Sequence, residues 1–232
     1  MRHKGFFVTG TDTGIGKTHA SLQLMRLLQA EGLKVVGMKP VASGSVWNGE
    51  RWINEDALAL WKACSLSVQL EWVNPYAFEL PVSPHIAAQR MGVRVELSRL
   101  RAAFERLTAD ADCVVVEGVG GWRVPLGNSL DVSGLAKALE LPVLLVVGLR
   151  LGCINHARLT HESMVRSGVE VAGWIANNLE TGLLHTEEAV ETLCIELGAK
   201  PLAMLPFQDG SSEVLNGLNP WNSVEILRIC RP

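Results

Sequence analysis

The stretch Gly10-Thr11-Asp12-Thr13-Gly14-Ile15-Gly16-Lys17-Thr18 decides the fold. It joins an apolar run, Phe6-Phe7-Val8, to an amphipathic stretch of helical length that ends near Ala30. Glycines permit positive φ angles and a close approach of phosphate oxygens, while backbone N–H groups and the start of the helix attract the anion. Lys17 is then placed to reach the β- and γ-phosphates, and Thr18 to bind Mg²⁺. The segment predicts a nucleotide-binding phosphate loop.

The loop departs from the strict phosphate-loop pattern at one position. The pattern has a glycine five residues before Gly16, where this chain has Thr11, and Gly10 lies one residue earlier. A chance glycine-rich turn is the alternative. The Gly-Lys-Thr triplet between a predicted strand and a predicted helix favours the phosphate loop.

Apolar runs alternate with amphipathic stretches along the rest of the chain. Further strands are predicted at Leu33–Met38, Asp112–Val116, Pro142–Val147, Val171–Ala176 and Pro201–Leu205, and helices at Asp56–Ala63, Pro84–Met91, Leu97–Leu107, Val132–Leu139, Asn155–Arg166 and Thr186–Glu196. The strand runs lack polar alternation, so helices should cover both faces of the sheet. We therefore expect one domain over residues 1–232, an α/β three-layer sandwich with a mostly parallel central sheet, like that of P-loop NTPases.

Composition excludes several classes of protein. Hydrophobic residues make up 48% of the 232 residues and charged residues 19%, which is far from the composition of a disordered chain. The formal charge of −3 argues against general nucleic-acid binding, and the longest apolar runs are too short to span a membrane. The five cysteines are scattered without a CxxC pair, so we expect neither a zinc site nor a disulfide framework, but buried thiols in a reducing cytoplasm.

Glu117 is the expected acidic partner of the phosphate loop. It ends an apolar strand, at the edge where parallel sheets bind ligands, and Gly118-Val119-Gly120-Gly121 follows it. A solvated strand end is the alternative, and the glycines favour a functional role. Asp56 lies in the first turn of a predicted helix, where the helix dipole favours an acidic residue in any case, so the pattern alone leaves its role open.

Lys39 ends the second predicted strand. Pro40 biases it toward an extended conformation, so its side chain should lie at the ligand-binding edge, near Lys17. Two cations without a carboxylate between them repel each other unless an anion lies in the gap. An enzyme that phosphorylates an anionic substrate can use such a pair. A solvated lysine at a strand end is the alternative.

Six segments, in chain order, carry a resemblance to a known family. They are Gly10–Thr18, Lys39–Gly44, Val73–Tyr76, Ser83–His85, Val116–Trp122 and Leu151–His156. Together they resemble the dethiobiotin synthetases of biotin biosynthesis. The resemblance runs from Phe7 to Asn178 and weakens after that. Phosphate loops are common, whereas the Lys-Pro, Ser-Pro-His and Cys-Ile-Asn-His segments together are specific.

The resemblance implies an ATP- and Mg²⁺-dependent cyclo-ligase that works as a homodimer. In that family the substrate, 7,8-diaminopelargonate, captures CO₂ as a carbamate, which attacks the γ-phosphate of ATP. The second amine then displaces phosphate from the mixed anhydride and closes the ureido ring of dethiobiotin. Lys17, Lys39 and Mg²⁺ would neutralise the charge that gathers when two anions react.

The resemblance also implies roles for individual residues. Catalysis is assigned to Lys39, Lys17 and Thr13, the metal to Thr18, Asp56 and Glu117, and the diamine to Ser43. ATP binding is assigned to Gly14, Ile15, Gly16, Lys17, Thr18, His19, Asp56, Glu117, Gly118, Val119, Gly120, Asn177, Asn178, Pro206 and Glu213. Cys153 and Asn155 resemble a loop that receives the substrate carboxylate from the other subunit. An N-cap of the following helix is the alternative for Asn155.

Two other classes of protein share a phosphate loop. A partitioning-type switch ATPase would have a further lysine in the loop, and this loop has none between Gly10 and Gly16. A domain that amidates a corrinoid acid usually adds a glutaminase domain, for which this length leaves no room. Within the resemblance, Gly14 stands where some relatives have an acidic residue, and Asn178 replaces an aspartate.

Overall fold

The computed structural model describes residues 5–127, 129–180, 185–207 and 221–230. Its strands are β1 (Gly5–Gly10), β2 (Val35–Met38), β3 (Val41–Ser43), β4 (Val46–Trp47), β5 (Trp52–Ile53), β6 (Tyr76–Phe78), β7 (Cys113–Glu117), β8 (Pro125–Gly127), β9 (Leu130–Asp131), β10 (Val143–Leu149), β11 (Val171–Asn178) and β12 (Ala203–Leu205). Its helices are α1 (Lys17–Ala30), α2 (Glu55–Lys62), α3 (Leu70–Val73), α4 (Pro84–Arg90), α5 (Leu97–Thr108), α6 (Val132–Leu139), α7 (Cys153–Arg166), α8 (Thr186–Leu197) and α9 (Ser223–Cys230).

Six strands form one parallel sheet, in the order β12-β11-β10-β1-β7-β2. The strand that leads into the phosphate loop lies between two apolar neighbours, with Phe7 opposite Val143 of β10 and Val116 of β7. Parallel strands need crossover connections, which here are mostly helical. The prediction of a mostly parallel central sheet is confirmed.

Successive residues of β1 pack on opposite faces of the sheet. Phe6 belongs to an apolar cluster with Leu24 of α1 and Leu60 of α2, whereas Phe7 belongs to another with Leu100 of α5 and helices α6 to α8. Removing both faces from water explains why these strands are continuously apolar. The three-layer arrangement is therefore the one expected from the sequence.

All the predicted strands and helices are present, with ends that shift by a few residues. The short elements α3, β3 to β6, β8, β9 and α9 were not expected, because two to four residues give too little periodicity to detect and α9 lies beyond the region of alternation. Helix α7 begins earlier than predicted: its N-cap is Gly152, which has a φ of 90°. The N-cap alternative for Asn155 is therefore wrong. Among the described residues, no helix is long and apolar enough to cross a membrane.

Candidate active site

The phosphate loop links β1 to α1 through glycines with positive φ. Gly14 has a φ of 71°, and Gly16, the residue before α1, has a φ of 82°. A Cβ atom on Gly16 would come within 2.1 Å of Asn177 Nδ2, and that amide nitrogen donates to the carbonyl of Ile15 at 2.9 Å. Both the backbone angle and the packing of Asn177 therefore require glycine at position 16.

Lys17 is buried at the start of α1. Its Nζ donates to the carbonyl of Asp12, at 2.7 Å, so the ammonium contacts the loop itself. Burial, and then the positive charge of Lys39, lower the pKa of Lys17 to about 8. An anion in the loop would stabilise the ammonium form, because it offsets both effects.

Lys39 lies in a carboxylate cluster, only 4% exposed. Its Nζ donates to Glu117 Oε1 at 2.5 Å and to Asp56 Oδ2 at 3.1 Å, and Thr18 Oγ1 also donates to Glu117 Oε1, at 2.9 Å. Burial alone would lower the pKa of Lys39, but the charges of Glu117 and Asp56 outweigh it, and the pKa is raised. Burial acts to raise the pKa of Asp56, and Lys39 holds that pKa below its ordinary value.

These contacts correct one expectation and exclude two alternatives. The two lysines were expected to face each other without a carboxylate, yet Glu117 contacts Lys39 and also attracts Lys17. Neither Lys39 nor Glu117 is a solvated strand end, since Lys39 is only 4% exposed and Glu117 is fully buried. The repulsion between the lysines is thus partly compensated before any substrate anion binds.

The approach to α2 positions Asp56 beside this cluster. Asn54 caps the helix by accepting from Ala57 N at 3.2 Å, and its Nδ2 donates to the carbonyl of Ser43, also at 3.2 Å. Asn74 similarly donates to the carbonyl of Lys39 at 2.6 Å. Asn54 and Asn74 therefore fix the backbone of Ser43, which is expected to bind the diamine, and of Lys39, which is expected to be catalytic.

A cavity of about 690 Å³ opens where these strands end. Of the expected site residues, it is lined by Thr13, Gly14, Gly16, Lys17, Thr18, Lys39, Ser43, Asp56, Glu117, Val119 and Gly120. The other lining residues are Ala42, Asn54, Pro81, Val82, Ser83, Pro84 and Val124. The phosphate loop, both lysines and all three expected metal ligands therefore line the same cavity.

The oxygen atoms of the cluster fit a divalent cation. Glu117 Oε2 is buried without a hydrogen-bond partner in the described structure, and Asp56 and Thr18 supply further oxygens nearby. No group of three or more His, Cys, Asp or Glu residues that could hold a metal occurs in the described ranges. A small donor set of carboxylates and a hydroxyl suits Mg²⁺, which keeps waters and phosphate oxygens as its other ligands.

The remaining expected ATP residues do not line the cavity. Ile15 is buried behind the loop, and Gly118 packs against Phe7 and Val132. Asn178 donates to the carbonyl of Leu205 at 3.1 Å and so ties the end of β11 to β12, just before Pro206. His19 lies in the first turn of α1, where burial lowers its pKa, and Glu213 lies outside the described residues.

Cys153 and Asn155 also lie outside this cavity. Cys153 is buried at the start of α7, and Asn155 is exposed two residues later. Arg150, which precedes α7, does contact the phosphate loop, because its Nη2 donates to Asp12 Oδ2 at 2.6 Å. The sequence analysis missed Arg150, although it ends a strand of the same sheet as Lys39 does.

Comparison with known proteins identifies the family. A model described as an AAA domain matches residues 4–214. The ATP-dependent dethiobiotin synthetase BioD of Aromatoleum aromaticum is 47% identical over 90% of this chain and 92% of its own length. BioD of Xylella fastidiosa (strain 9a5c) is 46% identical over 95% of each chain.

Solved structures with low sequence identity share the fold. The MinD cell division protein of Aquifex aeolicus superposes with a TM-score of 0.54 at 13% identity, covering 89% of this chain and 83% of its own. A ParA family ATPase of Chlorobium tepidum gives 0.51 at 12% identity, covering 90% and 85%. The fold is that of the P-loop NTPases, and the near relatives show that this chain belongs to the ATP-dependent dethiobiotin synthetase family.

Proposed function

We propose that the cavity at the sheet edge is where this chain closes the ureido ring of dethiobiotin, using 7,8-diaminopelargonate, CO₂ and ATP. One observation carries the assignment to this cavity: Lys17 and Lys39 share it with the oxygens of Thr18, Asp56 and Glu117. Such a site can bring two anionic reactants together, because fixed cations compensate their charges where little water is present.

ATP is proposed to bind with its phosphates along the loop. The backbone N–H groups after Gly14 and at the start of α1 donate to the phosphate oxygens, and Lys17 exchanges its contact with the Asp12 carbonyl for one with phosphate. Thr18, Asp56 and Glu117 would hold Mg²⁺, which lends a further positive charge to the β- and γ-phosphates.

Lys39 is proposed to act on the carbamate and the transferring phosphoryl group. A carbamate oxygen bonds to the γ-phosphorus as the bond to ADP breaks, and the second amine later attacks the carbamate carbon and releases phosphate. Lys39 lowers the barrier of the first step because its ammonium is held inside the cavity by Glu117 and Asp56. Thr13 stands at the tip of the loop, on the same cavity.

The diamine is proposed to lie between Ser43 and the phosphate loop. Ser43 lines the cavity, and its buried Oγ has no partner among the described residues. Cys153 and Asn155 would complete the site from a second subunit, since in a single chain they lie outside the cavity. A homodimer, a single domain and a cytoplasmic location belong to the same proposal, and the free thiols of Cys64 and Cys194 agree with a reducing compartment.

Product formation tests this proposal. The purified chain is incubated with 7,8-diaminopelargonate, ATP, Mg²⁺ and ¹³C-labelled bicarbonate, and the product is analysed by mass spectrometry. We expect dethiobiotin with one ¹³C atom, and none when ATP is omitted. ATP hydrolysis that the diamine does not stimulate, with no labelled dethiobiotin, would reject the function.

A further inference from the structure

Ser83 and His85 form a hydrogen-bonded pair at the wall of the cavity. Ser83 Oγ lies 3.0 Å from His85 Nδ1, and Ser83 lines the same cavity as Ser43 and Lys39. The serine precedes α4, yet its hydroxyl does not cap that helix. The serine side chain therefore contacts an imidazole instead of the helix backbone, and Ser83 is the member of the pair that lines the cavity.

The proposed reaction needs a proton acceptor at that space. An aliphatic amine resembles a lysine side chain, with a pKa of about 10, so the diamine arrives largely as ammonium at neutral pH. Only a neutral amine can attack CO₂ or the carbon of the anhydride, because the attack uses the nitrogen lone pair. Both nitrogens must therefore lose protons before the ring is closed.

The ionisable residues that line the cavity are poorly suited to accept these protons. In the described part of the chain they are Lys17, Lys39, Asp56 and Glu117. The two carboxylates are bonded to Lys39, and protonating either would leave that buried ammonium with less compensation. Carboxylates, with an ordinary pKa of about 4, are also a weak match for a proton transfer at neutral pH, whereas an imidazole, with an ordinary pKa of about 6.5, matches well.

We propose that Ser83 contacts the amine that is to be deprotonated, and that His85 receives the proton through it. This inference rests on the proposed function. The ammonium proton passes to Ser83 Oγ while the serine hydroxyl proton passes to His85 Nδ1, so one N–H bond breaks and one forms. The products are a neutral amine and an imidazolium ion, which balances both atoms and charge. His85 must begin as the tautomer with its proton on Nε2.

The surroundings of His85 allow it to take up and release this proton. It is partly exposed, so the imidazolium can exchange protons with water and return to the neutral tautomer that carries its proton on Nε2. The elements packed most closely against α4 are β3, β6 and β8, where the titratable side chain is Tyr76. The Tyr76 hydroxyl accepts from Glu96 N at 3.0 Å, and Arg99 lies over its ring. On α4 itself, Arg90 lies in the last turn.

Two substitutions test the pair. His85→Asn keeps a hydrogen-bonding group at the position of Nδ1 but cannot take up a proton near neutral pH, and Ser83→Ala removes the hydroxyl. His185→Asn removes an exposed imidazole outside the cavity, and asparagine tolerates its positive φ of 60°, so it is the matched control. Dethiobiotin formation at saturating substrate is measured from pH 6 to 9, with ATP affinity and the melting temperature measured alongside.

We expect His85→Asn and Ser83→Ala to lower kcat by about 10²-fold at pH 7, with ATP affinity unchanged. The ratio of variant to wild-type kcat should then rise by about tenfold per pH unit, because the substrate supplies more of its own neutral amine. His185→Asn should match the wild type at every pH.

Three outcomes would overturn the inference in distinguishable ways. If wild-type protein forms dethiobiotin and His85→Asn is equally active, the pair takes no part in the reaction. If the deficit of both variants is the same at every pH, the pair has a structural role and transfers no proton. If the wild type forms no dethiobiotin, the proposed function fails and this inference fails with it.

Discussion

Lys39 makes its contacts with carboxylates inside the cavity instead of with water, and this determines what its loss would do. In a water-poor site the ammonium needs little reorganisation when negative charge develops on the transferring group. Lys17 differs, because its nearest partner is the neutral carbonyl of Asp12. The two lysines therefore respond differently to substitution and to pH.

Lys39→Met should lower kcat for dethiobiotin by about 10²- to 10³-fold, because it removes one fixed charge from the phosphoryl transfer. ATP affinity should change much less, since the loop and Lys17 remain. Lys62→Met, at the exposed end of α2, is the matched control and should leave both quantities unchanged. An equal loss of affinity and turnover in Lys39→Met would make Lys39 only a part of the nucleotide pocket.

Lys17 should take up protons when nucleotide binds. Its pKa of about 8 in the free protein means that close to half the molecules carry a neutral Lys17 at pH 8, and phosphate favours the ammonium form. Calorimetry of metal-free ADP binding, in buffers with different ionisation enthalpies, should show proton uptake that increases from pH 7 to pH 8.5. Lys17→Met should abolish this uptake; persistence of the full uptake would assign it to another group.

The lowered pKa of Lys17 also makes the stability of the fold depend on pH. The pKa of Lys17 is lower in the fold than the ordinary lysine value of 10.5, so the unfolded chain binds more protons between pH 8 and 10.5. The contribution of Lys17 to the free energy of unfolding therefore becomes more favourable as pH rises through this window. Comparing the pH dependence of urea unfolding for wild type and Lys17→Met isolates that contribution, and identical slopes would contradict it.

At the scale of elements, the junction of β1 and α1 determines whether the loop can form. Gly16 and Gly32 both have a φ of 82°, but only at Gly16 would a Cβ atom collide with Asn177 Nδ2. The start of α1 and the end of β11 are therefore packed through this one glycine. Replacing it displaces either the loop or the hydrogen bond to the Ile15 carbonyl.

Gly16→Ala should lower ATP affinity by at least about tenfold, the equivalent of 1.4 kcal/mol, because steric conflict is added to backbone strain. Gly32→Ala carries the same strain in open space, at a cost of about 1 kcal/mol in stability, and should bind ATP normally. Binding is measured by calorimetry and stability by urea unfolding. Equal ATP affinities for the two variants would show that contact with Asn177 is unimportant.

At the scale of the whole molecule, burial on both faces made the sheet predictable. Runs such as those of β7 and β10 are apolar throughout, and their alternation with helical patterns indicates a parallel sheet whatever the details of packing. Glu117 and Lys39 could be placed at its edge because each ends a strand.

The pairings between distant segments could not be read from the sequence. Arg150 contacts Asp12, and Asn74 contacts the Lys39 carbonyl, only because the strands have a particular register and the loops a particular length. The carboxylates around Lys39 were predicted as metal ligands, but not as its partners, because one pattern suits both roles. Short elements such as α3 and β4 lack enough residues to show a period.

Transfer of oxygen from CO₂ to phosphate tests the central claim most directly. If the two lysines promote attack of a carbamate oxygen on the γ-phosphate, that oxygen leaves with the phosphate when the ring closes. With ¹⁸O-labelled CO₂ and unlabelled ATP in a single turnover, mass spectrometry should find one ¹⁸O atom in the phosphate released by the wild-type chain. Dethiobiotin formed together with unlabelled phosphate would contradict the account.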